Sequence, residues 1–220
     1  MATNSTTSGS EARTDAGRTV YVAVYDTFAD WETGHLTTQL VGNGYTVRTV
    51  GPSREPVTTM GGLRVQPDLV LSELSPADAA LLVLTGASLW DAGSGLDGFA
   101  AKAREFTEAG VPVAAICGAT LGLARAGLLD GRAHTSAVSF YLLQAAEQGY
   151  GGAASYVEAD AVTSADRLVV TAGPTEPVAF AREVLGVLGV YDAKVLDAWY
   201  RLHHDSDLAA YEVLEAAGVA

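Results

Sequence analysis

The stretch VPVAAICGATLGLARAGLLDG, residues 111–131, contains the one cysteine of the chain, Cys117, between two apolar runs. A strand that ends in a nucleophile and turns at a glycine into a helix is the elbow used by several hydrolytic folds. Gly118 would open the helix. A thiol at its positive end is then expected to be acidified, and the free N–H groups of the first turn could face a developing oxyanion. Cys117 would serve equally as a small apolar packing residue, as most free cysteines do.

A second candidate follows the first apolar run, in YDTFADWETGH. Glu32 stands at or near the start of a helix, where it could act on the thiol as a proton donor or a base, or simply complement the helix dipole. Asp26, in the same segment, is a further pocket candidate. His35 lies three residues beyond Glu32, on the same helix face and within reach of it, or alternatively at the surface or a subunit contact. The loop LTGASLWDAGSG supplies Gly86 and Ala87, small enough for a substrate to approach the backbone, and Trp90, which could roof a pocket or pack in a turn. His134, in GRAHTSAVSF, is a pocket candidate weighed against a polar helix-start residue. His203, His204, Asp205 and Asp207 invite a metal. Neighbouring histidines on a helix diverge by about 100°, so a solvated helix end is the expectation and no metal is assigned.

These groups need a scaffold. RTVYVAVYDTF, YTVRTVG, AALLVLTG and VPVAAIC read as buried strands. WETGHLTTQLVGNGY, GLDGFAAKAREFTEAG and GATLGLARAG read as helices, the first two stopping at glycine. PVTTMGGLRVQPD reads as a hairpin around Gly61–Gly62. The order implies a doubly wound parallel sheet with ligands bound beyond the strand carboxyl ends. In this topology the first strand is central and can neighbour the one carrying Cys117. A helix near AVSFYLLQAAEQGY, a strand pair in YVEADAVTSADRLVVTAG and helices from PVAFAREVLGVLGV onward complete the chain. Residues 1–17 read as a disordered tail, and 18–220 as one α/β domain with a helical C-terminal extension.

With 220 residues, 49% of them hydrophobic, the chain can build one substantial core. Its net charge of −13 argues against nucleic-acid and anionic-membrane partners. A single cysteine excludes an internal disulfide or multi-cysteine zinc site and fits a reducing cytoplasm. No phosphate-binding glycine fingerprint is present, and no cofactor is expected.

From about Thr19 to Val190 the sequence resembles the ThiJ/PfpI superfamily, a branch of the class I glutamine amidotransferase-like fold. The resemblance lies in FADWE, GGLRVQPDLVLSEL, AALLVLTGASLW, AAICGATLGLARAGLLDGR and VVTAGPTEPVAFAREVLGVLG, taken in order. It implies a flavodoxin-like three-layer α/β/α sandwich with a mostly parallel central sheet, usually homodimeric. It also implies a reactive Cys117 partnered by Glu32, and an oxyanion hole from the N–H groups of Gly118 and of Gly86–Ala87. Thr85-Gly86-Ala87 replaces the frequent Pro-Gly-Gly, and Gly118 replaces the histidine that follows the cysteine in PfpI-type proteases, which weighs against that protease mechanism. The leading expectation is a cysteine-dependent hydrolase or lyase acting on a small electrophile, by amide hydrolysis, isocyanide hydration or glyoxalase-type chemistry. The alternative is a redox-sensing or protective protein whose Cys117 is oxidised to sulfinate.

Overall fold

Short apolar runs become fully buried strands because helices cover both faces of the sheet they enter. The computed structural model describes residues 19–93 and 95–219, so the segment expected to be a tail lies outside the described residues. In chain order the elements are β1 (Thr19–Ala23), α1 (Gly34–Gly42), β2 (Thr46–Gly51), β3 (Val57–Thr58), β4 (Arg64–Val65), β5 (Leu69–Val70) and β6 (Ala79–Leu84). Then come α2 (Asp97–Glu108), β7 (Val113–Ile116), α3 (Ala119–Arg125), α4 (Ser139–Leu142), β8 (Ala161–Thr163), β9 (Val169–Ala172), α5 (Pro177–Leu188), α6 (Ala193–His204) and α7 (Tyr211–Ala216).

Seven strands form one sheet in the order β5-β2-β1-β6-β7-β9-β8, while β3 and β4 make a separate antiparallel hairpin. All pairings in the large sheet are parallel except β8 with β9. α1 and α5 pack together, with α6 against α5, and α2 packs against α3. This is the α/β sandwich expected from the order of elements. The expected helix over AVSFYLLQAAEQGY is broken, one α turn at Ser139–Leu142 continuing as 3-10 helix to Gln148. β5, too short to show a pattern, is an added edge strand.

One expectation about the sheet is corrected. β1 does not neighbour β7, because β6 lies between them and pairs with both. A residue after β1 must therefore reach across the end of β6 to meet one after β7. Among the described residues no helix is long and apolar enough to cross a membrane.

Candidate active site

Cys117 directly follows β7, with its N–H donated to the Ala172 carbonyl of β9 at 3.0 Å, so it is still held by the sheet. Its φ of 58° is left-handed, a conformation that costs a non-glycine residue about 1–3 kcal/mol and persists only where the surroundings impose it. The chain then enters α3 at once: Thr120 N–H donates to the Cys117 carbonyl and Leu121 N–H to the Gly118 carbonyl, both at 3.1 Å. The Thr120 hydroxyl also donates to the Cys117 carbonyl, at 2.6 Å, and lies 2.7 Å from the Ser136 hydroxyl.

Glu32 lies in the turn before α1 and is fully buried. Its Oε2 accepts the Gly86 N–H at 2.6 Å. Its Oε1 has no hydrogen-bond partner among the described residues, and the carboxyl and the Cys117 thiol lie close enough for each to perturb the other's ionisation. The intervening β6 is crossed at Gly86. A Cβ there would sit 2.6 Å from Cys117 Cβ and 2.6 and 2.9 Å from the two Glu32 oxygens, so the pair converges in the space a side chain would fill. This contact requires glycine, whatever the φ.

Thr85 stitches the loop from beneath, its hydroxyl donating to the Ala23 carbonyl of β1 at 2.9 Å. Its own carbonyl accepts from the Tyr25 hydroxyl and from Trp90 Nε1. Ala87 is extended, and among the described residues no backbone carbonyl takes its N–H. The Gly118 N–H acts on the Cys117 thiol in the direction that favours its ionised form. Of the three expected backbone donors, the Gly86 N–H is corrected: Glu32 Oε2 already takes it, so it cannot also face an oxyanion, and those of Gly118 and Ala87 remain.

Burial pushes the Glu32 carboxyl up to about 7, with the Gly86 N–H and the Cys117 thiol acting in the opposite direction. The thiol is pushed up to about 12, first by burial and then by the Glu32 charge, against the lowering effect of the Gly118 N–H. The expectation of an acidified thiol is therefore corrected: a seven-residue helix start does not outweigh desolvation beside a carboxylate. Between these two values the pair holds one proton, on sulfur, beside an ionised carboxyl.

Above the thiol opens a cavity of about 260 Å³. Cys117, Gly118 and Ala87 line its inner end, Met60, Ala137 and Tyr141 give apolar walls, and Ser88 and Asp91 are polar. The Tyr141 hydroxyl donates to Asp91 Oδ1 at 2.9 Å. Sequence reasoning missed Met60, Asp91 and Tyr141, which arrive on three separate segments; it had located only the loop carrying Asp91.

The other candidates do not line this cavity. Trp90 is not a roof: it is buried, with Nε1 donating to Tyr25 Oη at 3.0 Å and to the Thr85 carbonyl at 2.9 Å, and its ring covers α3 at Gly122. A glycine inside the helical pattern ATLGLAR was the signal for that close packing. His134 is buried elsewhere, with Nδ1 2.7 Å from the Arg132 carbonyl and Nε2 2.8 Å from the Tyr150 hydroxyl. Both ring nitrogens are engaged, and burial lowers its pKa. His35 turns from Glu32 toward α6, edge-on to Trp199 and His203 with ring centroids 6.3 and 5.7 Å away. Exposed Asp26 accepts the Thr58 N–H at 2.8 Å and anchors the β3–β4 hairpin.

The profile of the DJ-1/PfpI family matches residues 18–186. The chain belongs to the DJ-1/PfpI family. Among its DJ-1/PfpI relatives, "Uncharacterized protease YoaZ" of Bacillus subtilis (strain 168) is 37% identical over 195 residues, 84% of this chain and 90% of that protein. "Protein/nucleic acid deglycase 2" of Escherichia coli (strain K12) is 29% identical over 174 residues, 77% of this chain and 97% of that protein. The crystal structure of a thiJ/pfpI family protein from Bacillus anthracis superposes with a TM-score of 0.84 at 33% identity, covering 90% of this chain and 96% of that one.

Proposed function

We propose that this DJ-1/PfpI protein is a cysteine-dependent enzyme, a hydrolase or lyase that acts on a small carbonyl-like electrophile held above Cys117. The observation that carries the reading is the buried Glu32 carboxyl beside the Cys117 thiol, with one oxygen fixed by the Gly86 N–H and the other without a hydrogen bond. Attack joins Sγ to the electrophilic carbon, and the thiol proton passes to Glu32. The electron pair displaced onto the substrate oxygen or nitrogen faces the Gly118 and Ala87 N–H groups. Protonated Glu32 can then return the proton to the adduct.

Scale and chemistry favour a small molecule over a polypeptide. The cavity is smaller than the usual ligand site of about 300 Å³ or more, and among the described residues no imidazole lines it to complete a Cys-His pair. Names among the relatives include both protease and deglycase, so hydrolytic chemistry on carbonyl or amide carbon is compatible with either. The test is turnover of methylglyoxal, an alkyl isocyanide and a simple amide by the wild-type chain and by Cys117→Ala. Turnover of any of them that is lost in the variant supports the proposal. Absence of turnover, with ready conversion of Cys117 to sulfinate under mild peroxide in mass spectra, would replace it with a redox role.

A further inference from the structure

His203 and His204 diverge as adjacent helical residues should, and they have different partners. His203 stacks on Trp199 at 4.6 Å, with Nδ1 2.8 Å from the Trp199 carbonyl. His204 faces the other way, toward two carboxylates far from it in sequence. His204 ends α6, Glu176 caps the start of α5, and Asp160 immediately precedes β8. One ligand atom from each lies within 4.8 Å of the other two.

Two of the three donors, His204 and Glu176, have a side-chain partner of their own. His204 Nδ1 is 2.6 Å from Asp205 Oδ1, which leaves Nε2 to face Glu176. Tyr200 stacks on the same imidazole at 4.6 Å and 18°, fixing its plane. Glu176 Oε1 accepts the Thr175 hydroxyl at 3.1 Å, while Oε2 stands 3.6 Å from His204 Nε2. That separation is long for a hydrogen bond. It is close to the edge of a tetrahedron around a zinc ion, about 3.4 Å for bonds of about 2.1 Å. Among the described residues no Lys or Arg nitrogen forms an ion pair with Glu176 or Asp160; Arg182 lies over the Tyr200 ring instead, 4.6 Å from its centroid. A carboxylate holding the far nitrogen of a ligating histidine is the usual outer-shell arrangement of protein zinc sites.

We infer that Asp160, Glu176 and His204 form a surface site for a divalent transition metal of the zinc class, with water completing the coordination. The donor set is one imidazole nitrogen and two carboxylate oxygens, which suits zinc better than calcium or magnesium. A bound ion would tie the end of α6 to the start of α5 and the entrance of β8. The site belongs to the C-terminal helices and not to the cavity at Cys117.

The experiment is calorimetric titration of ZnCl2 into the full chain carrying Cys117→Ala, which removes the thiol as a competing ligand. One ion per chain is expected, with affinity at least tenfold weaker in each of His204→Ala and Glu176→Gln on that background. Zinc should also raise the thermal midpoint of the parent and not of these variants. Should either variant fail to fold, Asp160→Asn, at an exposed position, takes its place with the same expectation. No binding by the Cys117→Ala chain, or less than tenfold weakening in any tested variant, overturns the site.

Discussion

Replacing Glu32 by Gln keeps the shape of the carboxyl group and the acceptor for Gly86 N–H, and removes only the ability to ionise. In the folded chain Glu32 titrates near 7 instead of the ordinary 4.5. Its folded pKa is thus raised above the unfolded one. At pH 4 the group is largely protonated in both states and costs little. As pH rises through 4.5 the unfolded chain releases this proton first, so stability falls until the folded chain releases it near pH 7, and then levels. One pKa unit is about 1.4 kcal/mol, so the wild-type chain gives up about 3 kcal/mol across this window. Glu32→Gln gives up none of it. Urea unfolding of both chains at pH 4.5, 6, 7 and 8 should therefore show the variant gaining on the wild type with pH, approaching an advantage of about 3 kcal/mol at pH 8. Other groups titrate alike in the two chains and cancel in the difference. The thiol, pushed up to about 12, stays protonated throughout. A stability difference that does not change between pH 4.5 and 8 would refute the argument, because Glu32 would then ionise as it does in water.

The same base should be visible in kinetics. Alkylation of Cys117 by iodoacetamide is expected to rise with pH through about 7, and Glu32→Gln should abolish that inflection; equal profiles would remove Glu32 from the reaction. Gly86→Ala places a methyl group between Cys117 and Glu32, so turnover should fall at least tenfold and stability by about 1–3 kcal/mol, read from initial rates and urea midpoints. Gly122→Ala would ordinarily stabilise a helix, but its Cβ would overlap the six-membered ring of buried Trp90. A loss of about 1–3 kcal/mol with a red-shifted tryptophan emission is expected, and a stability gain would contradict the packing described. His134→Gln should leave turnover per folded molecule within threefold of wild type, with any deficit appearing as lowered stability, because both ring nitrogens bond away from the cavity.

The parallel sheet was legible because strands buried on both faces have nearly continuous apolar sequences, as in AALLVLTG and VPVAAIC. The elbow was legible because a strand run ended in cysteine and glycine. What the sequence did not carry is order across the sheet: nothing in the β1 or β7 residues says that β6 comes between them. For the same reason Gly86 read as a loop residue that eases substrate approach, when its larger role is to leave room for Cys117 and Glu32 to meet. The thiol's acidity was misjudged because a helix start is visible in one local segment. The opposing carboxylate and the burial come from contacts spread over the fold. Trp90 and His134 looked available because their types suit a pocket; their partners Gly122, Tyr25 and Tyr150 lie on segments brought near only by folding.

Because β6 separates β1 and β7, the strands that Glu32 and Cys117 follow, the site records how far assembly of the chain has progressed. Glu32 and its Gly86 donor are 54 residues apart, and Cys117 joins them only when β1–β6 and β6–β7 are both in register. Contacts of that range form late, since loop closure must precede any gain from them. In a refolding experiment the base-assisted component of thiol reactivity should return with the last of these pairings, behind the recovery of helical signal. Cys117 alkylation thereby becomes a clock for completion of the central sheet.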